Sequence, residues 1–119
     1  MSKNATPKEL RVSRDRQTLT LVYDDEASEA FSAEMLRVLS PSAEVQGHSP
    51  EQRVTVGSKR AVAIRDLVPV GHYAVRIVFD DGHDTGLFTW SYLAELAAHR
   101  EERWQNYLDE LAAKGLTRD

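Results

Sequence analysis

The residues best suited to chemistry lie in one short segment, residues 80–86, which reads Asp-Asp-Gly-His-Asp-Thr-Gly. Its histidine, His83, can act as a general base because an imidazole titrates near neutral pH. The carboxylates on either side are the ligands that hard cations prefer. The two glycines allow backbone angles that other residues resist. The segment therefore predicts a turn in which polar side chains crowd around one histidine.

Two interpretations of this loop stay open. Asp81, His83 and Asp84 could hold a metal ion or a small ligand, with His48 from an earlier loop as a further contact. Against this, the spacing does not match the calcium loop of an EF-hand, and aspartate beside glycine is typical of turns in which the carboxylate accepts backbone N–H groups. We favour the turn and keep the metal- or ligand-binding site as the alternative. The candidate functional residues are Asp81, Gly82, His83, Asp84, Gly86, Trp90 and His48.

No catalytic motif accompanies these residues. Serines lie near His48 in the sequence, at Ser40, Ser42 and Ser49, but the strand–turn–helix motif of a nucleophilic serine does not surround them. A phosphate-binding loop would need a helix directly after its glycines and a lysine, and both are missing. We expect Trp90 to anchor a helix to the sheet. The sequence therefore predicts no catalytic residue, no cofactor and no enzymatic activity.

Composition limits the remaining classes of function. The chain has 119 residues, a formal net charge of −4 and no cysteine. One domain spanning residues 1–119 is expected, and disulfides and thiolate metal sites are excluded. The acidic balance argues against nucleic-acid binding, which requires a concentrated basic surface. No signal-like or membrane-spanning segment is apparent, so we expect a cytoplasmic protein that does not bind membranes.

The elements that position the loop follow from hydrophobic periodicity. Alternating apolar residues predict a hairpin over residues 9–23. A short helix capped by Ser28 is expected to end near Leu39, before Pro41, with an irregular loop over residues 40–50. Strands are predicted at 61–68 and 73–79, separated by a turn.

After the loop, a long helix is expected from about residue 90 to residue 114, ended by Gly115. Its apolar stripe is thin in the second half, so Trp104 and Tyr107 are expected to be exposed and available to a partner or a second copy. The predicted fold class is α+β: a small, mostly antiparallel sheet of four or five strands, one short helix and a long C-terminal helix.

Three segments carry a resemblance to a known family. They are residues 36–48 (Leu-Arg-Val-Leu-Ser-Pro-Ser-Ala-Glu-Val-Gln-Gly-His), residues 71–75 (Gly-His-Tyr-Ala-Val) and residues 81–93 (Asp-Gly-His-Asp-Thr-Gly-Leu-Phe-Thr-Trp-Ser-Tyr-Leu). Together they resemble the N-terminal domain of gamma-butyrobetaine hydroxylase over about residues 8–98. The resemblance implies a stand-alone bacterial domain of unknown function, in a branch without cysteine.

The resemblance also bears on metals. In the hydroxylases this domain holds a structural zinc through three cysteines and a histidine, and the matching positions here are Ser40, Ser42, Val45 and His83. Because serine hydroxyls stay protonated at neutral pH and are poor zinc ligands, we predict no zinc. The iron- and 2-oxoglutarate-dependent catalytic domain has no counterpart in this chain, so its activity is not carried over.

A partner is implied in the same way. In some proteins, relatives of the domain that this chain resembles look to be fused to a P-loop ATPase of the type that assembles iron–sulfur clusters. The resemblance thus implies a non-catalytic protein-interaction or adaptor domain with a link to iron–sulfur assembly. Association with a second copy of the chain stays open beside it.

Overall fold

A three-stranded antiparallel sheet begins the fold in the computed structural model, which describes residues 6–47 and 53–119. Strands β1 (Glu9–Val12), β2 (Thr18–Val22) and β3 (Ser28–Ser32) follow one another in space as they do in sequence. Leu19 and Leu21 of β2 are fully buried, and Leu19 pairs with buried Phe31 of β3. The predicted hairpin over residues 9–23 is therefore present as β1 and β2.

The helix predicted from Ser28 begins later. Residues Ser28–Ser32 form β3 because they pair along the whole of β2, from Val22 opposite Ser28 to Thr18 opposite Ser32. Helix α1 (Ala33–Val38) starts after this pairing ends, and the Ser32 hydroxyl caps it by accepting the Met35 N–H at 3.0 Å. The prediction of Ser28 as the cap was wrong, since pairing with a neighbouring strand outweighed local helix signals.

The segment expected to be irregular contains a short helix. Helix α2 (Ala43–Gln46) begins after Ser42, whose hydroxyl accepts the Glu44 N–H at 3.2 Å, and ends at Gly47. This single helical turn was not predicted, because four residues are too few to show a helical period. His48 lies outside the described residues, as does the rest of the predicted loop up to residue 50.

A second three-stranded antiparallel sheet follows. It consists of β4 (Ile64–Val70), β5 (Ala74–Phe79) and β6 (Leu87–Thr89), in that order. Strand β4 continues through Pro69 and Val70, which had been assigned to a turn; an edge strand tolerates proline because its outer N–H groups need no partner. The sequence pattern predicted no strand at β6. This strand forms by pairing with β5, an interaction that local sequence does not reveal.

The C-terminal helical region starts near its predicted position but is interrupted. Helix α3 (Trp90–Ala98) is capped by Thr89, and helix α4 (Arg100–Ala113) follows after His99, whose ψ of 28° departs from helical geometry. Helix α4 packs on the core through Tyr107, which is 1% exposed and donates its hydroxyl to the Val56 carbonyl at 2.5 Å. The expected exposure of Tyr107 was wrong. Trp104 is only partly buried, but it also packs against the core.

Both sheets share one hydrophobic core. It combines Leu19 and Phe31 of the first sheet with Ile77 and Phe88 of the second and Leu93 of α3. The α+β class and the mainly antiparallel pairing are confirmed, although the strands form two sheets where one of four or five strands was expected. None of the described helices is long and apolar enough to cross a membrane.

Candidate functional site

The candidate loop connects β5 to β6 and lies against the segment that joins α1 to α2. Its backbone is a tight turn: the Phe79 N–H donates to the His83 carbonyl at 2.9 Å, and the Gly82 N–H donates to the Phe79 carbonyl at 3.2 Å. Gly82 has a φ of +93°, a value that favours glycine. The turn directs the His83 side chain inward, where 3% of it is exposed.

His83 uses both ring nitrogens in hydrogen bonds. Nε2 lies 3.0 Å from the Ser40 hydroxyl, and Nδ1 lies 3.0 Å from Glu44 Oε2. A carboxylate can only accept, so Nδ1 carries the proton of the neutral ring and Nε2 accepts from Ser40. Burial lowers the pKa of His83, and the nearby charge of Arg37 lowers it further, against smaller opposing effects of Glu44 and Asp81. His83 is thus held as a neutral imidazole.

Further hydroxyls extend these contacts. Thr85 donates to Glu44 Oε2 at 2.8 Å and lies 2.7 Å from the Ser42 hydroxyl, while the Ser42 N–H donates to the Ser40 hydroxyl at 3.2 Å. We call this set the histidine network; its members are Ser40, Ser42, Glu44, His83 and Thr85. It joins the start of α2 to the β5–β6 loop, two segments about 40 residues apart in the sequence.

Asp81 is paired with two cations. Its carboxylate lies 2.7 Å from both Arg37 Nε and Lys59 Nζ, and it accepts the His83 N–H at 3.0 Å. Burial by itself would raise the pKa of Asp81, but the hydrogen bonds from Lys59, the His83 backbone and Arg37 lower it to about 2. Asp81 is therefore a structural anion that fixes the turn.

The other aspartates of the loop have separate partners. Asp80 accepts the Ala63 N–H at 3.1 Å, and the exposed Asp84 lies 3.6 Å from Arg76. Within the described parts of the chain, no group of three or more histidine, cysteine or acidic side chains could hold a metal ion. The geometry thus brings His83 together with Glu44 rather than with the aspartates that the sequence suggested.

Two further candidates have packing roles. Gly86 lies against Ser40, so that a Cβ atom at Gly86 would be 2.5 Å from the Ser40 hydroxyl and 2.9 Å from Phe88. Trp90 is buried, and its Nε1 donates to the His72 carbonyl at 2.8 Å, which attaches the start of α3 to the β4–β5 turn. Gly86 therefore packs against the site, whereas Trp90 lies at the other end of β5, beside Tyr73.

The atoms of Ser40, His83 and Glu44 match the order of a hydrolytic triad, with Nε2 facing the hydroxyl and Nδ1 facing the carboxylate. The solvent exposure of these side chains is the reverse of what a hydrolytic triad requires. Ser40 is fully buried beneath Gly86, whereas the Glu44 side chain is 62% exposed. A nucleophile must reach its substrate, so this arrangement supports a structural junction and not acyl transfer.

The donor set does not fit the zinc that the resemblance implies. Ser40 and Ser42 offer protonated hydroxyls, Val45 offers no donor, and both nitrogens of His83 are occupied within the network. Zinc sites in proteins need deprotonated thiolates, imidazoles or carboxylates in a tetrahedron. The polar atoms present satisfy one another instead.

Sequence reasoning missed several residues of the site. Glu44 and Thr85 complete the network, and Arg37 and Lys59 hold Asp81. A local signal existed only for Glu44, because serine followed by alanine and glutamate is typical of a helix start. The cations come from distant segments and gave no signal.

Comparison with known proteins identifies relatives of known structure. A family model described as gamma-butyrobetaine hydroxylase-like, N-terminal, matches residues 10–94. An NMR solution structure is 46% identical over 97% of this chain and 90% of its own, with a TM-score of 0.80. A second NMR structure is 43% identical over 99% of this chain and 89% of its own, with a TM-score of 0.78.

A crystal structure is also similar to the chain. It shows a protein with unknown function from Acidithiobacillus ferrooxidans that belongs to the DUF971 family. This protein is 34% identical over 82% of this chain and 99% of its own, with a TM-score of 0.65. No curated protein gives a significant match. The relatives thus establish the family and the fold.

Proposed function

The chain belongs to the gamma-butyrobetaine hydroxylase-like N-terminal family, and from this premise we propose that it is a non-catalytic adaptor domain that binds a protein partner through the outer face of its second sheet. The outer face is the side of β4, β5 and β6 that points away from the core. Its exposed or partly exposed members are Asp66, Val68, Val70, Arg76, Val78, Leu87 and Thr89.

The apolar composition of this face is the observation that carries the proposal. Arg76 pairs with Val68 on one side and with Leu87 on the other, so the three side chains form one row across the sheet. Val68, Val70 and Val78 are partly buried, and Leu87 is 37% exposed. None of these four belongs to the core or packs against it among the described residues.

The inner face of the same sheet shows the contrast. Val75, Ile77, Phe79 and Phe88 alternate with the outer residues and are all fully buried in the core. A sheet with one solvated face normally carries polar residues on that face. Here four apolar side chains surround Arg76, while Asp66 and Thr89 lie toward opposite ends of the face. Apolar residues around an arginine are a composition suited to a protein interface, where arginine is enriched.

The histidine network supports the non-catalytic part of the proposal. Its hydroxyls and its imidazole are hydrogen bonded to one another, and Ser40 is fully buried. The alternative of a small-ligand or metal site in the 81–84 loop gains no observation of its own, since Asp81 and Asp84 are paired with separate cations.

The partner follows from the family resemblance. We propose a P-loop ATPase of iron–sulfur cluster assembly, acting with this domain in the cytoplasm. A domain without cysteine cannot ligate a cluster through thiolates, so its part would be to position the ATPase or its client.

The test is calorimetric titration of that ATPase, purified from the source organism, into three forms of the domain. Wild type should bind, and Leu87→Lys should weaken binding at least about tenfold because it replaces an exposed apolar side chain of the face with a second positive charge beside Arg76. Val54→Lys is the matched control, since Val54 is 48% exposed but lies outside this sheet.

Each result decides a different part of the proposal. Lack of binding by wild type rejects this ATPase as the partner. Equal binding by wild type and Leu87→Lys rejects the outer face as the interface. If light scattering shows that wild type without the ATPase forms a dimer at high concentration and that Leu87→Lys does not, the face binds a second copy of the chain instead.

A further inference from the structure

The histidine network occupies the positions at which the family resemblance implies a metal ion. Ser40, Ser42 and His83 match three of the four implied ligands. In the structure, the Ser40 hydroxyl is within hydrogen-bond distance of both His83 Nε2 and the Ser42 N–H, and the Ser42 hydroxyl contacts Thr85. The fourth position, Val45, is buried one turn of α2 after Ser42. The network thus lies at the positions of the implied metal ligands, but its side chains do not offer the donor atoms that the metal needs.

We infer that in this chain the histidine network performs the structural role of the metal, tying α2 to the β5–β6 loop by hydrogen bonds, so that the domain folds and stays folded without a metal ion. The inference is independent of the adaptor role, because it concerns how the domain is held together and not what it binds.

The chemistry of the network supports this role. The Ser40 hydroxyl donates to His83 Nε2 and accepts the Ser42 N–H, while Glu44 accepts from both His83 and Thr85. Every side-chain polar atom of the network that is buried has a hydrogen-bond partner. A fully satisfied buried network rigidifies a junction, whereas the loss of one member leaves its neighbours unpaired.

Glu44 explains how the junction avoids a buried charge. Its carboxylate is largely exposed and remains in contact with water while it accepts the hydrogen bond from His83 Nδ1. Thr85 of the β5–β6 loop is hydrogen bonded to both Glu44 and Ser42, which lie at the start of α2. The two segments are therefore joined by neutral groups inside and one charge at the surface.

The first part of the test measures metal dependence in wild type. The protein is produced in zinc-supplemented medium, and its zinc content is measured by mass spectrometry. We expect substoichiometric zinc and a melting temperature that EDTA does not change. Stoichiometric zinc, or a melting temperature that falls on chelation, would overturn the inference.

The second part tests the network itself. Ser40→Ala and His83→Gln should each lower the melting temperature. Asp84→Asn is the matched control from the same loop, since Asp84 is exposed and lies outside the network, and it should leave the melting temperature nearly unchanged. If His83→Gln and Ser40→Ala melt like Asp84→Asn, the network does not hold the junction.

The third part tests whether the network stands where a metal would stand. The triple variant Ser40→Cys, Ser42→Cys, Val45→Cys supplies three thiolates beside the imidazole. We expect it to bind one zinc per chain and its melting temperature to fall on chelation. A folded triple variant that takes up no zinc would refute the placement, and the wild-type measurements stand even if this variant does not fold.

Discussion

His83 and Asp81 are two residues apart, but their surroundings hold one as a neutral ring and the other as an anion. His83 is enclosed between a hydroxyl and a carboxylate and stays neutral, because burial disfavours the charged ring. Asp81 is ionised because Arg37 and Lys59 contact it directly. The two groups therefore respond to acid in different pH ranges.

The lowered pKa of His83 predicts a loss of stability in mild acid. In the unfolded chain the imidazole takes up a proton near its ordinary value of 6.5, whereas in the folded state it does so only at lower pH. The stability that neutral His83 contributes is therefore fully present above about pH 6.5 and is lost as pH falls through the lowered folded-state pKa.

Urea denaturation at steps between about pH 8 and pH 5 measures this effect. His83→Gln should have a flatter pH profile than wild type, while His99→Gln, which changes an exposed histidine, should keep the wild-type slope. Identical slopes for wild type and His83→Gln would contradict the prediction.

Asp81, with a pKa of about 2, affects stability at lower pH than His83. The stability that its ionised carboxylate contributes is lost only as pH falls below about 4.

Gly86→Ala should destabilise the domain by about 1–3 kcal/mol through overcrowding. Its new methyl group would be 2.5 Å from the Ser40 hydroxyl and 2.9 Å from Phe88. In a Ser40→Ala background the added cost should be smaller, because the nearer of the two atoms is gone. A double-mutant cycle by chemical denaturation gives the coupling, and strictly additive costs would argue against direct contact between residues 40 and 86.

At the scale of elements, the chain after α4 is fixed by contacts to two other segments. The Ser58 and Arg60 N–H groups donate to the carbonyls of Thr117 and Arg118 at 2.9 and 3.0 Å. The Arg118 guanidinium makes two hydrogen bonds, of 2.7 and 2.8 Å, to Glu34 on α1. Since Glu34 is only 6% exposed, this tail neutralises a carboxylate inside the fold.

Arg118→Ala should therefore lower the free energy of unfolding by about 1–3 kcal/mol, because it leaves the Glu34 carboxylate buried without its cation. Arg60→Ala is the matched control, since Arg60 pairs with Asp119 at the surface, and it should cost less than about 1 kcal/mol. Chemical denaturation of both variants measures the difference. Equal costs would mean that the tail contributes by its backbone alone.

The whole molecule depends on one core. Leu19 and Leu21 of the first sheet and Ile77 and Phe79 of the second belong to the same buried cluster, which α3 and α4 also join. Neither sheet has a complete hydrophobic core without the other, so the two sheets are expected to unfold together.

We predict a single cooperative unfolding transition for the whole chain. Tryptophan fluorescence reports on Trp90 beside the second sheet and on Trp104 in α4, while far-ultraviolet circular dichroism reports on all the strands and helices. The two signals should give coincident denaturation curves. Two separated transitions would show that the sheets are independent units.

The sequence by itself determined the α+β class, the β1–β2 hairpin and β5, because each rests on short-range apolar alternation. It also identified the loop around His83 through its glycines and charges. The positive φ at Gly82 agrees with the predicted turn. These features are local, so a single segment contains the information for them.

Tertiary structure alone decided other features of the fold and the site. Strands β3 and β6 form because β2 and β5 offer partners, and Tyr107 is buried because α4 after the break at His99 packs on the core. The site required the same long-range information: Glu44, Arg37 and Lys59 reach the His83 loop from segments far away in sequence. Strand pairing and side-chain burial depend on which distant segments come into contact, and no local pattern of residues specifies those contacts.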